Sequence, residues 1–169
     1  SSLISMAKAY RRTNEDFWGV LFATTSGDLI EMKYDGNIWE EHLKGSWQHQ
    51  ITVIDTADIT NDGNAEIFVG LANGTVQILS SGRVDTNEQT SQLEAYACDE
   101  QLNCPIPVLI KVGDFERDGD IDIITTWSNG DIILNVKNMR GEFEASWLAK
   151  TIDELIGIQL LDLDNTGYR

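Results

Sequence analysis

The chain has 169 residues, of which 41% are apolar, with 12 Lys and Arg against 28 Asp and Glu for a formal net charge of −16. This balance repels nucleic acid and anionic membrane surfaces, and the apolar share excludes a mainly disordered chain. No stretch approaches the roughly 18 uninterrupted apolar residues of a membrane-spanning helix.

Residues 1–10 lack the basic flank and apolar run of a secretion signal, so a targeting segment is expected upstream or already removed. The first strands expected are 3–10, 18–24, 28–34 and 38–43, a four-strand unit in which Leu29, Ile30 and Met32 break clean alternation. Ser26-Gly27 is placed as its hairpin turn, and Gly36 precedes the last strand.

The second unit runs through strands 51–57, 66–72, 75–80 and 92–97, with Asn73-Gly74 as the hairpin and Gly82 as the later turn. Asn-Gly between apolar runs predicts a two-residue turn with both central residues at positive φ. Helical periodicity is weak throughout; only 88–97 could pass for a short helix. The third unit runs through 106–113, 121–127, 131–137 and 143–150, with Asn129-Gly130 and Gly141 in the same places. Ile54, Ile110 and Ile158 each stand four residues ahead of an acidic loop.

Those loops repeat. Asp58, Asp62, Gly63 and Glu66 align with Asp114, Asp118, Gly119 and Asp122 at an offset of 114 − 58 = 56, each followed by Ile and an apolar residue. A third copy opens at Asp162, 48 residues on (162 − 114 = 48). Four-strand units of about 40–55 residues are the signature of propeller blades. The fold expected is an all-β β-propeller of four-stranded antiparallel blades at roughly 1–47, 48–104 and 105–152, with a further one starting over 153–169. Three blades do not close a ring, so further blades are expected from the same or another chain. A β-sandwich is the rival architecture, and the fixed order of the landmarks argues against it.

Counted from the first aspartate, Asp114, Glu116, Asp118 and Asp122 hold positions 1, 3, 5 and 9, with Gly119 at 6 and the Asp120 carbonyl at 7. Calcium takes six to eight hard oxygen ligands, and alternate side chains of a wrapped loop supply them. The second unit offers Asp58, Thr60, Asp62 and Glu66 with the Asn64 carbonyl, a less charged set. The last offers Asp162, Asp164 and Thr166. In the first unit Arg11 replaces the leading ligand, beside Thr13, Glu15 and Gly19, and no metal is expected there. An EF-hand would need glutamate at position 12, where Val69 and Thr125 stand, and flanking helices in place of Ile-rich strands. The plainer alternative is that Asp/Asn/Gly loops are simply good turns, although four acids within nine residues would then repel one another for no gain.

Cys98 and Cys104 bracket a short polar stretch and could close a disulfide in an oxidising compartment, or remain two free thiols in a reducing one. His42 and His49 show no zinc spacing.

The two complete acidic loops and their flanks, including Ile67-Phe68-Val69-Gly70 and the later Asn138, Gly141 and Phe143, resemble the FG-GAP and VCBS repeat family of integrin α-subunit propellers and secreted bacterial proteins. Leu71-Ala72 and Thr125-Thr126 depart from that family's strand ending. The resemblance implies a propeller of about seven blades stabilised by Ca2+, extracellular or at the cell surface, and acting as a non-catalytic binding or adhesion module for a protein or glycan. No Gly-x-Ser-x-Gly or phosphate-binding loop is present. Two alternatives stand beside it: the propeller of a polysaccharide-processing enzyme such as a lyase, and a glycan-binding lectin that stacks sugars on Trp18, Trp39, Trp47, Trp127 or Trp147.

Overall fold

The computed structural model describes residues 3–11, 18–34, 36–80, 90–96, 104–115, 118–138 and 140–152. Twelve strands form three four-stranded antiparallel sheets. The first holds β1 (Ile4–Arg11), β2 (Trp18–Thr24), β3 (Asp28–Tyr34) and β4 (Trp39–Ser46). The second holds β5 (Ile51–Ala57), β6 (Glu66–Leu71), β7 (Thr75–Leu79) and β8 (Thr90–Ala95). The third holds β9 (Pro107–Gly113), β10 (Asp122–Trp127), β11 (Asp131–Lys137) and β12 (Phe143–Lys150). In each sheet the strands lie in chain order, so every connection joins neighbours. Within the stretch that could pass for a short helix, residues 90–95 are instead strand β8, because pairing to β7 satisfies its backbone where weak periodicity offers a helix no apolar face.

The hairpin between the second and third strands is built alike in all three sheets. The amides of Gly27, Gly74 and Gly130 donate to the carbonyls of Thr24, Leu71 and Trp127, at 3.1, 3.0 and 2.8 Å. Each glycine has positive φ, but Asn73 and Asn129 do not. The turn is therefore a three-residue loop ending in a left-handed glycine, not the two-residue Asn-Gly turn expected. Asn129 serves it differently: its side-chain oxygen accepts the amide of Asp131 at 3.1 Å. A Cβ on Gly130 would sit 2.4 Å from the Thr151 carbonyl oxygen, so close approach as well as φ requires glycine there.

The sheets pack face to face, with first strands β1, β5 and β9 of successive sheets side by side. One core joins Leu21, Ala23 and Leu29 of the first sheet to Ile54, Ile67, Val69 and Leu79 of the second. A second core joins Val53, Phe68, Val76 and Ile78 to Ile110, Ile123, Trp127 and Ile133 of the third. Burial follows this sandwiching. Every residue of β6 is buried, because both its faces are covered, whereas β2 alternates because only one is. The irregular pattern of β3 has a specific cause. Glu31, on its covered face, is fully buried and receives the Tyr10 hydroxyl, with the Lys44 ammonium at 3.3 Å.

Side chains also tie sheet to sheet. Asp55 of β5 accepts Lys8 of β1 at 2.6 Å and Lys111 of β9 at 3.2 Å, so one carboxylate bridges all three sheets. The residue leaving the fourth strand of the first and of the second sheet reaches onward. Trp47 donates to Gln77 at 2.8 Å, and Tyr96 donates to Asp131 at 2.7 Å.

Candidate functional site

The two acidic loops leave β5 and β9 and enter β6 and β10, and they fold on one plan. The carboxylate of Asp58 accepts the amides of Asp62 and Gly63 at 3.2 and 2.8 Å. Asp114 accepts those of Asp118 and Gly119 at 3.2 and 3.1 Å. Asp62 then accepts the Asn64 amide at 2.7 Å, as Asp118 accepts that of Asp120 at 2.9 Å. Glu66 and Asp122 each accept the amide that follows the leading aspartate, Ile59 and Phe115, both at 2.9 Å. The carboxylates therefore organise the loop backbone around themselves, and the glycine at position 6 sits at φ 85° and 93°.

The closing acids are buried: Glu66 is 5% exposed and Asp122 2%. Burial pushes the Glu66 carboxyl up; the Ile59 amide opposes this, and the Asp62 and Asp58 carboxylates add to it. In Thr60 the hydroxyl donates to Glu66 at 3.4 Å. This donor set suits a hard cation in kind and in charge. Among the described residues, though, no three His, Cys, Asp or Glu side chains converge into a finished metal centre. Asp58, Asp62 and Glu66 are brought onto one loop without closing around a point. Glu116 of the other loop, all of Asp162, Asp164 and Thr166, and Thr13 and Glu15 of the first unit lie outside the described residues. Among those described no cysteine is free, and Cys104 is disulfide-bonded; Cys98 lies outside them.

The Asp58 loop forms one wall of a cleft of about 550 Å³ between the second and third sheets. Ile59, Thr60 and Glu66 face Lys137, Glu142 and Phe143 across it, over a floor that includes Ile78 and Leu93. The Lys137 ammonium donates to the Ile59 carbonyl at 3.2 Å and lies 5.9 Å from the Phe143 ring centre. The loop is thereby fastened to the neighbouring sheet.

Reasoning from sequence missed Lys137 and the Lys8, Asp55 and Lys111 bridge. A signal for the bridge was there: Asp55 and Lys111 each follow the isoleucine landmark by one residue. Of the tryptophans considered for sugar stacking, Trp127 is fully buried and Trp47 is held by Gln77. Trp18 and Trp39 are exposed, and the side chain of Trp147 lies outside the described residues.

Three four-stranded antiparallel sheets in chain order, stacked through their first strands and joined by equivalent turns, are blades of a β-propeller. Residues 20–89, which include most of β2 and all of β3 to β7, match the family model of the lambda-carrageenase β-propeller domain. The architecture is thus the one the FG-GAP resemblance implied, but the family matched is a different one. No curated protein matches the chain.

Proposed function

We propose that this chain is part of the β-propeller of a secreted polysaccharide-processing protein, serving as a polysaccharide-binding module. In this reading Ca2+ held by the acidic loops pins each blade's first two strands together. The observation that carries it is the match of residues 20–89 to the propeller domain of a lambda-carrageenase. It favours a polysaccharide over the protein-adhesion role that the integrin-like resemblance implies. The chain's excess of carboxylates, a net charge of −16, supplies hard oxygen donors of the kind calcium takes. Asp58, Asp62 and Glu66 with Thr60, and Asp114, Asp118 and Asp122 with Glu116, would hold the ions, which supply charge neutralisation and rigidity.

Affinity electrophoresis in gels cast with λ-carrageenan or with a neutral galactan, each with and without calcium, tests the reading, because the net charge of −16 opposes a sulfated polymer unless calcium screens it. Retardation that grows with polysaccharide content is expected, and migration indifferent to it at every calcium level would overturn the proposal.

A further inference from the structure

The wall that the second blade gives to the cleft differs from the equivalent wall of the first blade. Counting from the equivalent turn glycines Gly27 and Gly74 sets Tyr10 against Ala57 and Glu31 against Ile78. Lys44 and Leu93 also correspond, each being the extra residue where a fourth strand bulges off the third. In the first blade Tyr10 and Lys44 both meet Glu31, and all three side chains are buried in the seam with the second blade. In the second blade the uncharged Ala57, Ile78 and Leu93 stand in those places, and the cleft of about 550 Å³ opens over Ile78 and Leu93. Its walls belong to two blades already packed on one another through Val53, Phe68, Ile110 and Trp127.

The lining combines two chemistries. Ile59, Ile78, Leu93 and Phe143 supply apolar surface, while Thr60, Gln92 and Glu142 are exposed and supply hydroxyl, amide and carboxylate groups. Lys137, half-buried, supplies a positive charge. The other lysines all lie within 3.7 Å of a carboxylate: Lys8 and Lys111 on Asp55, Lys33 and Lys44 on Glu31, and Lys150 on Asp131. In a chain with 28 acids, the Lys137 ammonium is instead held by the Ile59 carbonyl and lies over the Phe143 ring. Glu66, the nearest buried acid in the lining, is engaged by the Ile59 amide and the Thr60 hydroxyl. An ammonium carries three donors, so the Ile59 carbonyl leaves two of them for a ligand.

We propose that this cleft binds a pyranose unit of a polysaccharide that carries an anionic substituent, a sulfate or a carboxylate, with Lys137 as its counter-ion. The C–H face of the ring packs on Ile78, Leu93 and Phe143, which removes apolar surface from water, and its hydroxyls reach Thr60, Gln92 and Glu142. The volume falls within the range of about 300–1,000 Å³ usual for small-molecule sites. A net charge of −16 repels a polyanion at long range, so selectivity comes from one close ion pair in a half-buried place, where solvent screens it less. The proposal rests on the polysaccharide reading above, and it names the site and the substituent recognised there.

The test is affinity electrophoresis of the full chain in λ-carrageenan, in polygalacturonate and in a neutral galactan, so that sulfate, carboxylate and no charge are compared. Wild type is run beside Lys137→Met, Lys137→Arg, Leu93→Trp and Leu148→Trp. Leu148 is the control, because it is the bulged residue of the third blade's fourth strand and does not line the cleft. Lys137→Met is expected to weaken binding to the preferred anionic polymer about tenfold and to leave binding to the galactan as it was. Lys137→Arg should keep most of the affinity, Leu93→Trp should fill the cleft and lose it, and Leu148→Trp should change nothing. Equal weakening of anionic and neutral binding by Lys137→Met, with a lowered thermal midpoint, would make Lys137 only a fastening for the loop and overturn the proposal. So would a wild type that binds the neutral galactan alone. Anionic binding that survives both Lys137→Met and Leu93→Trp would sink the cleft and leave the polysaccharide reading standing; no wild-type binding to any of the three polymers removes both.

Discussion

Asp131 shows how one side chain can serve several ends. It accepts the Tyr96 hydroxyl at 2.7 Å, the Lys150 ammonium at 2.9 Å and the Asn129 amide at 2.7 Å. The Tyr96 hydrogen bond, followed by that of Lys150, lowers its pKa from 3.8 to about 2. A carboxyl with a depressed folded pKa contributes stability above its unfolded value and loses it as pH falls through the folded one. Acid unfolding followed by circular dichroism should therefore show wild type losing stability between pH 4 and 2. Asp131→Asn should be less stable at neutral pH and flatter across that window; equal slopes for the two proteins would show that Asp131 contributes nothing there. The same hydroxyl joins the second blade to the third, and the Tyr96 ring lies 4.5 Å from that of Trp127, so the site fastens blades as well as a turn.

At the scale of elements, Asp55 is the side chain on which three first strands meet. Its partners Lys8 and Lys111 are each about a third exposed, while Asp55 itself is nearly buried. Solvent screens the outer ends of such pairs, but removing the carboxylate leaves two ammonium groups facing one another across β5. Asp55→Ala should lower stability by about 2 kcal/mol in urea titration, with a smaller loss for Lys8→Met, which keeps the second pair. A double-mutant cycle with Lys111→Met measures the coupling directly, and strict additivity would show that the bridge is decorative.

Across the whole molecule, cation binding and blade order are expected to be linked, because a loop that leaves a first strand also walls a cleft against the next blade. Calorimetric titration of the EDTA-stripped chain with calcium should reveal sites of which one is lost in Asp114→Ala and in Asp118→Ala. Ligand binding to the folded state alone raises stability by about 2.7 kcal/mol per site at a hundredfold excess over Kd. Chelation should therefore lower the thermal midpoint, and an unchanged midpoint with no heat at about millimolar calcium would leave the loops as turns.

Much of the architecture was legible in the residues themselves. Strands β2, β3, β5 and β11 fall where apolar runs and turn residues place them, since strand, turn and acidic loop are each decided by neighbours close along the chain. The loop network of Asp58 and Asp114 is likewise local, every bond spanning seven residues or fewer. What the sequence did not disclose depends on contacts between blades. Glu31 is a charged residue in a strand, yet it is fully buried beside Tyr10 of β1, two strands away, and Lys44 of β4. Whether Trp127 is core and Trp18 and Trp39 are surface follows from which face the next blade covers, not from any property of tryptophan. By itself the sequence determined the blade as a unit and the chemistry of its loops, because hydrogen bonds within and between adjacent strands set both. Only the tertiary structure decided which side chains meet across blades, because that pairing joins residues tens of positions apart through packing that no local pattern encodes.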